Sequence, residues 1–149
     1  MLDLYQVEGI ITEPSGALSV AALRGYLNLD QIPDGPIACV LSGGNNDVSR
    51  YDDIVERAMI HEGFRHYFLV TFPQKPGALR SFLNEVLGAG DDIVRFEYMK
   101  KNNRETGPAL VGIEIDDPGN LAGLLARMDA SDIEIEKLEP NSPAFGFVL

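Results

Sequence analysis

The chain is short of cysteine, tryptophan and positive charge. Its 149 residues include one cysteine, no tryptophan, and 12 lysines and arginines against 23 aspartates and glutamates, for a net charge of −11. A single cysteine excludes a disulfide within the chain. Nucleic-acid binding depends on basic side chains that neutralise phosphates, so this charge argues against DNA or RNA as partners.

Long apolar runs and a basic N-terminal flank are also missing. No run approaches the roughly 20 apolar residues that a membrane helix needs. Residues 1–4 do not have the basic flank with which a secretory signal begins. We therefore expect a cytoplasmic protein with no membrane partner. Its hydrophobic content of 45% is ordinary for a packed globular chain.

The single cysteine and the two histidines show no pattern of a nucleophile or a metal site. Cys39 lies in the apolar run 37–41, which favours a buried structural thiol. His61 and His66 have no metal-ligand spacing with each other or with Cys39. We predict neither a catalytic residue nor a metal site in this chain.

The chain changes character near residues 61 to 66, and the part that follows reads strand, helix, strand, strand, helix, strand. The first strand, Tyr67–Phe72, is almost continuously apolar, as expected of a central strand. Further strands are predicted over 93–101, 109–116 and 133–136, and helices over 78–88 and 118–128. This order predicts an α+β, ferredoxin-like βαββαβ fold with both helices on one face of an antiparallel sheet.

Side-chain periodicity adds detail to this fold. The first of the two helices carries apolar residues at the spacing of one helix face, namely Leu79, Phe82, Leu83, Val86 and Leu87. We predict that Leu83 and, on the second helix, Leu124 are core residues. In the second strand, Val94, Phe96 and Tyr98 alternate with Arg95 and Glu97, which predicts two opposite faces.

The first 60 residues follow another pattern. A small-residue helix ends near Leu27, residues 37–41 read as a short apolar strand, and a glycine-rich loop leads into a helix over 48–61. One strand has no evident partner here, so this segment is interpreted as a fragment of an α/β domain. We place the boundary between residues 1–62 and 63–149.

The turn after the first strand of the second part suits a small anionic ligand. Pro73 and Pro76 lack backbone N–H groups, whereas Gly77 permits close approach to a ligand and opens a helix whose first amides have no internal partner. Such a helix start attracts carboxylates. With residues 91–98, this turn resembles the ligand loop of the ACT family of amino-acid-sensing domains, in the variant at the C-terminus of biosynthetic threonine dehydratases.

That resemblance implies a sensor of isoleucine, often opposed by valine, that assembles as a homo-oligomer. The effector site would consist of the turn residues Pro73, Gln74, Pro76, Gly77, Ala78 and Leu79, together with Phe96 and Glu97. Amides of the turn would bind the effector carboxylate, Glu97 or an aspartate would pair with its ammonium group, and Phe96 would contact its branched chain. We interpret Asp91 and Asp92 as a solvated loop pair rather than as ligands.

Two strings in the first part resemble motifs near the end of fold-type II pyridoxal-phosphate catalytic domains. They are Glu13–Leu18, E-P-S-G-A-L, and Ser42–Asn45, S-G-G-N. The resemblance implies that Ser42 forms a hydrogen bond with the pyridine nitrogen of the cofactor and that Gly43, Gly44 and Asn45 shape the loop. The structural alternative is a glycine-rich strand-to-helix turn with no role in cofactor binding.

A pyridoxal enzyme also needs a Schiff-base lysine and a glycine loop for the phosphate. The first lysine here is Lys75, in the other part of the chain, and the resemblance places both missing features upstream of residue 1. We therefore predict a regulatory module without a cofactor of its own, attached to a pyridoxal-phosphate catalytic domain. The alternatives are a ligand-free oligomerisation domain and, against the lysine placement, an enzyme that deaminates threonine itself.

Overall fold

The structure is a computed structural model, and it describes residues 1–27, 34–45, 47–100 and 103–148. The chain divides into two compact units, Met1–Ala58 and Met59–Leu149. Three residues named by the sequence predictions lie outside the described residues. They are Asn46 of the glycine-rich loop, Lys101 at the predicted end of the second strand, and Asn102 at the start of the turn that follows it. In the described ranges, no helix is long and apolar enough to cross a membrane.

The first unit contains helices joined by extended chain. Its helices are α1 Leu2–Gln6, α2 Leu18–Tyr26 and α3 Tyr51–Glu62, the last of which continues past Ala58. A 3-10 turn over Val48–Arg50 precedes α3, and the Asp47 carboxylate caps this turn by accepting a hydrogen bond from the Ser49 amide at 3.0 Å. Asp52 and Asp53 lie in the first turn of α3, where the helix dipole favours negative charge. Both predicted helices of this part are therefore confirmed.

The predicted strand over 37–41 is wrong. Residues 36–45 adopt neither helix nor strand. A strand needs a neighbour for its N–H and C=O groups, and the described part of this unit contains no other strand. Side chains supply some of the missing partners, since the Ser19 hydroxyl donates to the Val40 carbonyl at 2.8 Å. Cys39 is half-buried rather than buried.

Large apolar side chains remain exposed in the first unit. Leu18 is 64% exposed and Val40 is 77% exposed. Val20 and Ile54 of the same unit are half-buried. Exposed apolar groups on this scale mark a surface that suits a partner.

The second unit has the predicted ferredoxin-like arrangement. Its elements are β1 Arg65–Pro73, α4 Ala78–Glu85, β2 Asp91–Tyr98, β3 Thr106–Ile115, α5 Leu121–Asp129 and β4 Glu134–Leu138. The sheet order is β2-β3-β1-β4, and every pairing is antiparallel. β1 is a central strand, which explains its continuous apolar run.

One face of the sheet forms the core with both helices. Phe68 and Val70 of β1 lie opposite Val111 and Ala109 of β3. The buried cluster on this face comprises Phe68, Val70, Phe72, Ala78, Phe82, Val86, Ala109, Val111, Ile113, Ile115, Leu124 and Met128. Because residues of α4 and α5 belong to the same cluster, both helices cover one face of the sheet, as predicted.

The apolar stripe of α4 is wider than the surface that it buries. Phe82 and Val86 are fully buried, but Leu83 is 39% exposed and Leu79 is also exposed. The prediction that Leu83 is a core residue is therefore wrong, whereas Leu124 is fully buried as predicted. Leu79 and Leu83 are four residues apart, so they lie together beside the buried stripe rather than within it.

A bulge in β2 changes the predicted alternation of its side chains. The pairing with β3 shifts between Ile93 and Arg95. Ile93 packs against the core, whereas Val94 is exposed. Val94 therefore does not continue the row formed by Phe96 and Tyr98, because the extra residue of a bulge interrupts the period of two.

The other face of the sheet is partly covered by the C-terminal segment. Pro143–Phe147 forms a 3-10 helix, and Phe145 packs edge-on against Tyr67 with ring centres 5.9 Å apart. The Arg95 guanidinium donates to the Val148 carbonyl oxygen. These contacts hold the segment to the sheet through both an apolar cluster and a charge-assisted hydrogen bond.

The acidic residues at the ends of β2 and β3 are structural. The buried carboxylate of Asp91 accepts hydrogen bonds from Arg127 and from the Gly88 amide, each at 2.6 Å, so Asp91 is not the solvated loop residue that we expected. Asp117 caps the turn before α5 by accepting from the Gly119 amide at 2.8 Å. In the described residues no group of three or more histidine, cysteine or acidic side chains is placed to hold a metal ion.

Candidate functional site

A pocket of about 860 Å³ lies where the turn after β1 meets α4 and the end of β2. We call it the turn pocket, and its lining residues are Phe72, Pro73, Gln74, Lys75, Pro76, Gly77, Ala78, Leu79, Arg80, Leu83, Phe96, Tyr98 and Lys100. This volume falls in the range of small-molecule sites.

Aromatic rings form the base of the turn pocket. Phe72 is buried, and its ring meets Phe96 and Tyr98 edge-on with ring centres 6.0 Å apart in each pair. Phe96 and Tyr98 keep exposed surface, and Leu83 contributes a further apolar side chain from α4. The pocket thus offers apolar surface to a ligand while its base is fixed by core packing.

The turn itself presents backbone amides. Gly77 has a φ of 91°, in the left-handed region that side chains disfavour, and it is the N-cap of α4. The Ala78 amide donates to the Lys75 carbonyl at 3.4 Å. In the described part of the chain, the amides of Gly77, Leu79 and Arg80 have no backbone acceptor. Unpartnered amides at a helix start suit a carboxylate.

Gln74 anchors the turn to the chain that enters β3. Its side-chain nitrogen donates to the carbonyls of Arg104 at 2.6 Å and Thr106 at 3.1 Å. Its backbone amide donates to the Glu105 carbonyl at 2.7 Å. Gln74 lines the pocket, but the hydrogen bonds of its side-chain nitrogen hold the turn in position.

Glu97 is the one predicted effector residue that does not line the turn pocket. The other seven, Pro73, Gln74, Pro76, Gly77, Ala78, Leu79 and Phe96, all do. The Glu97 carboxylate accepts from Arg95 at 2.8 Å. Neighbouring residues of a strand point to opposite faces, so Phe96 and Glu97 do not share this pocket.

Sequence reasoning missed the positive charge of the pocket. Lys75, Arg80 and Lys100 line it, and no acidic residue does so among the described residues. Lys75 stands inside the predicted turn and was a visible signal, but its role was not recognised. Arg80 and Lys100 are far apart in sequence, and only the folded unit brings them together.

In the first unit, the two pyridoxal-type motifs contact each other. The Thr12 hydroxyl donates to the Ser42 carbonyl at 3.0 Å, and the Glu13 amide donates to the Gly43 carbonyl at 2.8 Å. A Cβ atom on Gly16 would lie 1.5 Å from the Ser42 carbonyl oxygen, so only glycine fits there. The motif around Gly16 is thus built to receive the loop that contains Ser42.

These residues do not complete a pyridoxal-phosphate site. Ser42, Gly43, Gly44 and Asn45 form the loop that the resemblance assigns to the cofactor ring. Residues 1–74 contain no lysine, so the unit that holds this loop has no group for a Schiff base. The residues present therefore do not fit the cofactor without a lysine from elsewhere.

Both parts of the chain are similar in sequence to known proteins. Residues 56–148 match the family described as the C-terminal regulatory domain of threonine dehydratase. The whole chain is 62% identical to L-threonine dehydratase biosynthetic IlvA of Mycobacterium tuberculosis and 48% identical to that of Bacillus subtilis. Over 99% of its length it is 54% identical to the Corynebacterium glutamicum protein.

The alignments cover 34%, 35% and 33% of the Mycobacterium tuberculosis, Bacillus subtilis and Corynebacterium glutamicum proteins, respectively. The chain therefore spans about a third of the length of the curated relatives it matches.

Proposed function

Since the chain belongs to the family of C-terminal regulatory domains of threonine dehydratase, we propose that its second unit binds isoleucine or valine in the turn pocket. Through this binding it controls the deamination of L-threonine to 2-oxobutanoate and ammonia, a step of isoleucine biosynthesis. The second unit contributes effector binding to that reaction, whereas the Schiff-base lysine on which the cofactor depends would come from the catalytic domain.

The observation that carries this proposal is the composition of the turn pocket. It unites the amides of Gly77 and Leu79, which have no backbone acceptor among the described residues and suit a carboxylate, with apolar surface from Phe96 and Leu83, which suits a branched chain. These features come from the turn, α4 and β2, so a bound ligand would join three separate elements. Such a ligand stabilises the arrangement that it bridges, which is the basis of an allosteric signal.

The first unit has a different role in the proposal. We assign residues 1–62 to the end of a pyridoxal-phosphate catalytic domain and residues 63–149 to the regulatory domain. Ser42 and the loop residues Gly43, Gly44 and Asn45 would complete the cofactor site of that catalytic domain, which is the partner of the regulatory unit. The exposed apolar residues Leu18 and Val40 then face the remainder of that domain in a cytoplasmic, homo-oligomeric enzyme.

A ligand-free oligomerisation domain is the second candidate. The outer face of the sheet favours it, because Leu69 of the central strand β1 remains exposed there. Exposed apolar groups on a sheet face suit a second copy. The two candidates differ in one measurable property, which is saturable binding of a small ligand.

Isothermal titration of the full chain with L-isoleucine and L-valine tests the proposal, with the D-enantiomers as controls. We expect saturable heat with the L-forms and at least tenfold weaker binding of the D-forms, because the carboxylate and the branched chain contact separate walls. Absence of saturable binding with millimolar L-isoleucine and L-valine, in a sample of established oligomeric state, would favour the ligand-free candidate.

A further inference from the structure

A short C-terminal segment is held against the outer face of the sheet, opposite the two helices. We call residues 143–148 the C-terminal strap. Two of its side chains, Phe145 and Val148, are buried in one cluster with Tyr67 and Leu138 of the sheet. The strap is a 3-10 helix rather than a strand, so the ladder hydrogen bonds of the sheet do not hold it. Such a segment opens locally at a lower free energy than the sheet beneath it.

Arg95 joins the C-terminal strap to the strand that forms one wall of the turn pocket. Its guanidinium donates to the Val148 carbonyl oxygen and, at 2.8 Å, to the Glu97 carboxylate. The next residue of β2 is Phe96, which lines the pocket. Neighbouring residues of a strand point to opposite faces, so Arg95 lies on the strap side and Phe96 on the pocket side. A displacement of β2 at this point therefore moves side chains on both faces of the sheet.

Gly112 of β3 allows a second anchor of the strap to lie beside Arg95. It is the register partner of Tyr67 on β1 and of Arg95 on β2. A Cβ atom on Gly112 would lie 2.8 Å from Cε1 of Tyr67 and 3.1 Å from Cβ of Arg95, so these two side chains occupy the space above the glycine. Phe145 packs edge-on against the same Tyr67 ring. Phe145, Tyr67 and Arg95 therefore lie side by side between the strap and β2.

The ladder hydrogen bonds restrain β2 less than they restrain the central strands. β2 lies at the edge of the sheet, and β3 is its only partner strand among the described residues. The bulge between Ile93 and Arg95 interrupts this pairing just before Phe96. The position of Phe96 therefore depends also on contacts outside the ladder. Its ring packs against Phe72 on the pocket side, and Arg95 binds the strap on the other side.

We propose that Arg95 is a positioning residue for Phe96, through which the attached strap and a ligand in the turn pocket stabilise each other. This inference rests on the proposed effector site and adds a means of regulating that site. The attached strap restrains the part of β2 that the ligand contacts, so less ordering is left for the ligand to impose. A bound ligand likewise restrains β2 for the strap. Linkage requires the two effects to be equal in size.

Hydrogen exchange of the full chain, with and without saturating L-isoleucine, tests the coupling. The Phe145 amide donates to the Ser142 carbonyl at 3.0 Å and the Val148 amide to the Phe145 carbonyl at 2.9 Å, so exchange of both amides reports opening of the strap. We expect isoleucine to slow this exchange by about fivefold or more. The Asn120 amide, which donates to the Asp117 carbonyl at 2.8 Å in another 3-10 turn, is the internal control and should not change. L-Valine replaces isoleucine if only valine binds.

Variants test the same coupling through the affinity for the ligand. Arg95→Gln and Phe145→Ala should each weaken isoleucine binding by about threefold or more. Arg95→Lys keeps a charged donor, so it should weaken binding less than Arg95→Gln does. A chain of residues 1–139 lacks the strap, and its loss of affinity should equal the factor by which isoleucine slows strap exchange in the full chain. The exchange measurement needs no variant, so it decides the inference even if the shortened chain does not fold.

Two matched variants control for charge and for a change within the strap. Arg57→Gln removes the same charge from an exposed residue of α3, outside the pocket lining. Gly146→Val alters the strap where an added Cβ atom meets nothing within 4 Å. Both should leave the affinity for isoleucine unchanged.

The outcomes separate this inference from the proposed function. Isoleucine that binds without slowing strap exchange would overturn the inference and leave the effector site standing. Equal slowing at Asn120 would indicate a general stabilisation and would also overturn the coupling. Unchanged affinity in both Arg95→Gln and Phe145→Ala would do the same. Absence of saturable binding of L-isoleucine and L-valine would overturn the proposed effector, and the inference with it.

Discussion

The side-chain nitrogen of Gln74 lies 2.6 Å from the carbonyl oxygen of Arg104, and this hydrogen bond ties the pocket turn to the chain that enters β3. The same nitrogen also donates to Thr106 at 3.1 Å. Two acceptors from one segment fix the orientation of the Gln74 amide. The position of the turn therefore depends on the position of the β2–β3 connection.

Replacing Gln74 with glutamate should destabilise the second unit and weaken effector binding. The new carboxylate would face two carbonyl oxygens without a proton to donate, and loss of such bonds costs about 1–3 kcal/mol. Urea unfolding should show this loss of free energy, and titration should show weaker binding of the effector. Gln6→Glu makes the same charge change at an exposed residue of α1, and it should change the stability by less than about 0.5 kcal/mol.

Two leucines of the second unit should differ sharply when truncated. Leu124 is fully buried between α5 and the sheet, so Leu124→Ala should lower the free energy of unfolding by about 2–5 kcal/mol. Leu83 is 39% exposed at the pocket. Leu83→Ala should cost less than about 1.5 kcal/mol, since little cavity forms, and it should weaken effector binding. Equal losses of stability would contradict the exposed position of Leu83.

The sequence predicted the architecture of the second unit because its periods are long and regular. The alternation in β3 and the buried positions of α5 specify which faces meet. The resemblance to threonine dehydratase regulatory domains is confirmed by the family match over residues 56–148. The spacing of α4 did not reveal that Leu83 lies outside the core, because the apolar stripe of this helix is wider than the part of it that packs against the sheet.

The remaining differences between the predictions and the structure have identifiable physical causes. The bulge that exposes Val94 depends on the pairing of β2 with β3. The strand predicted at 37–41 lacks a partner in the described part of its unit. The assignment of both Phe96 and Glu97 to one site conflicted with strand alternation, which was already readable. Lys100 joined Lys75 at the pocket only through tertiary structure.

His66 should make stability depend on pH. Burial lowers the pKa of this half-buried histidine, and a hydrogen bond of 2.9 Å between Nε2 and the Gly63 carbonyl opposes the shift. A lowered pKa means that the unfolded chain binds the proton more tightly than the folded chain does. The contribution of neutral His66 is therefore complete above the unfolded pKa of about 6.5 and is lost as the pH falls through the folded pKa.

Urea unfolding between about pH 5 and pH 8, around the ordinary histidine pKa, tests this dependence. His66→Gln should flatten the loss of stability on acidification relative to the unmodified chain. His61→Gln is the matched control, because His61 is exposed at the end of α3, and it should retain the slope. An unchanged slope in His66→Gln would show that the carboxylates alone account for the acid sensitivity.

Gly77 should be the most sensitive position of the turn pocket. Its φ of 91° is disfavoured for every residue with a side chain, and most strongly for a β-branched one. A Cβ atom there meets nothing within 4 Å, so the penalty comes from the backbone and not from a clash within the chain. Gly77→Val should therefore shift the turn, misplace its backbone amides, and weaken effector binding by tenfold or more, which is about 1.4 kcal/mol.

Two further variants separate backbone conformation from side-chain volume. Gly77→Asn should bind more tightly than Gly77→Val, because asparagine tolerates the left-handed region. Gly146→Val adds the same side chain where a Cβ also meets nothing within 4 Å and φ is not positive, so it should leave binding intact. Because the left-handed conformation is part of the fold, Gly77→Val should also lower the unfolding free energy by about 1–2 kcal/mol. Effector affinity equal to that of the unmodified chain in folded Gly77→Val would mean that the ligand does not depend on the amides of this turn.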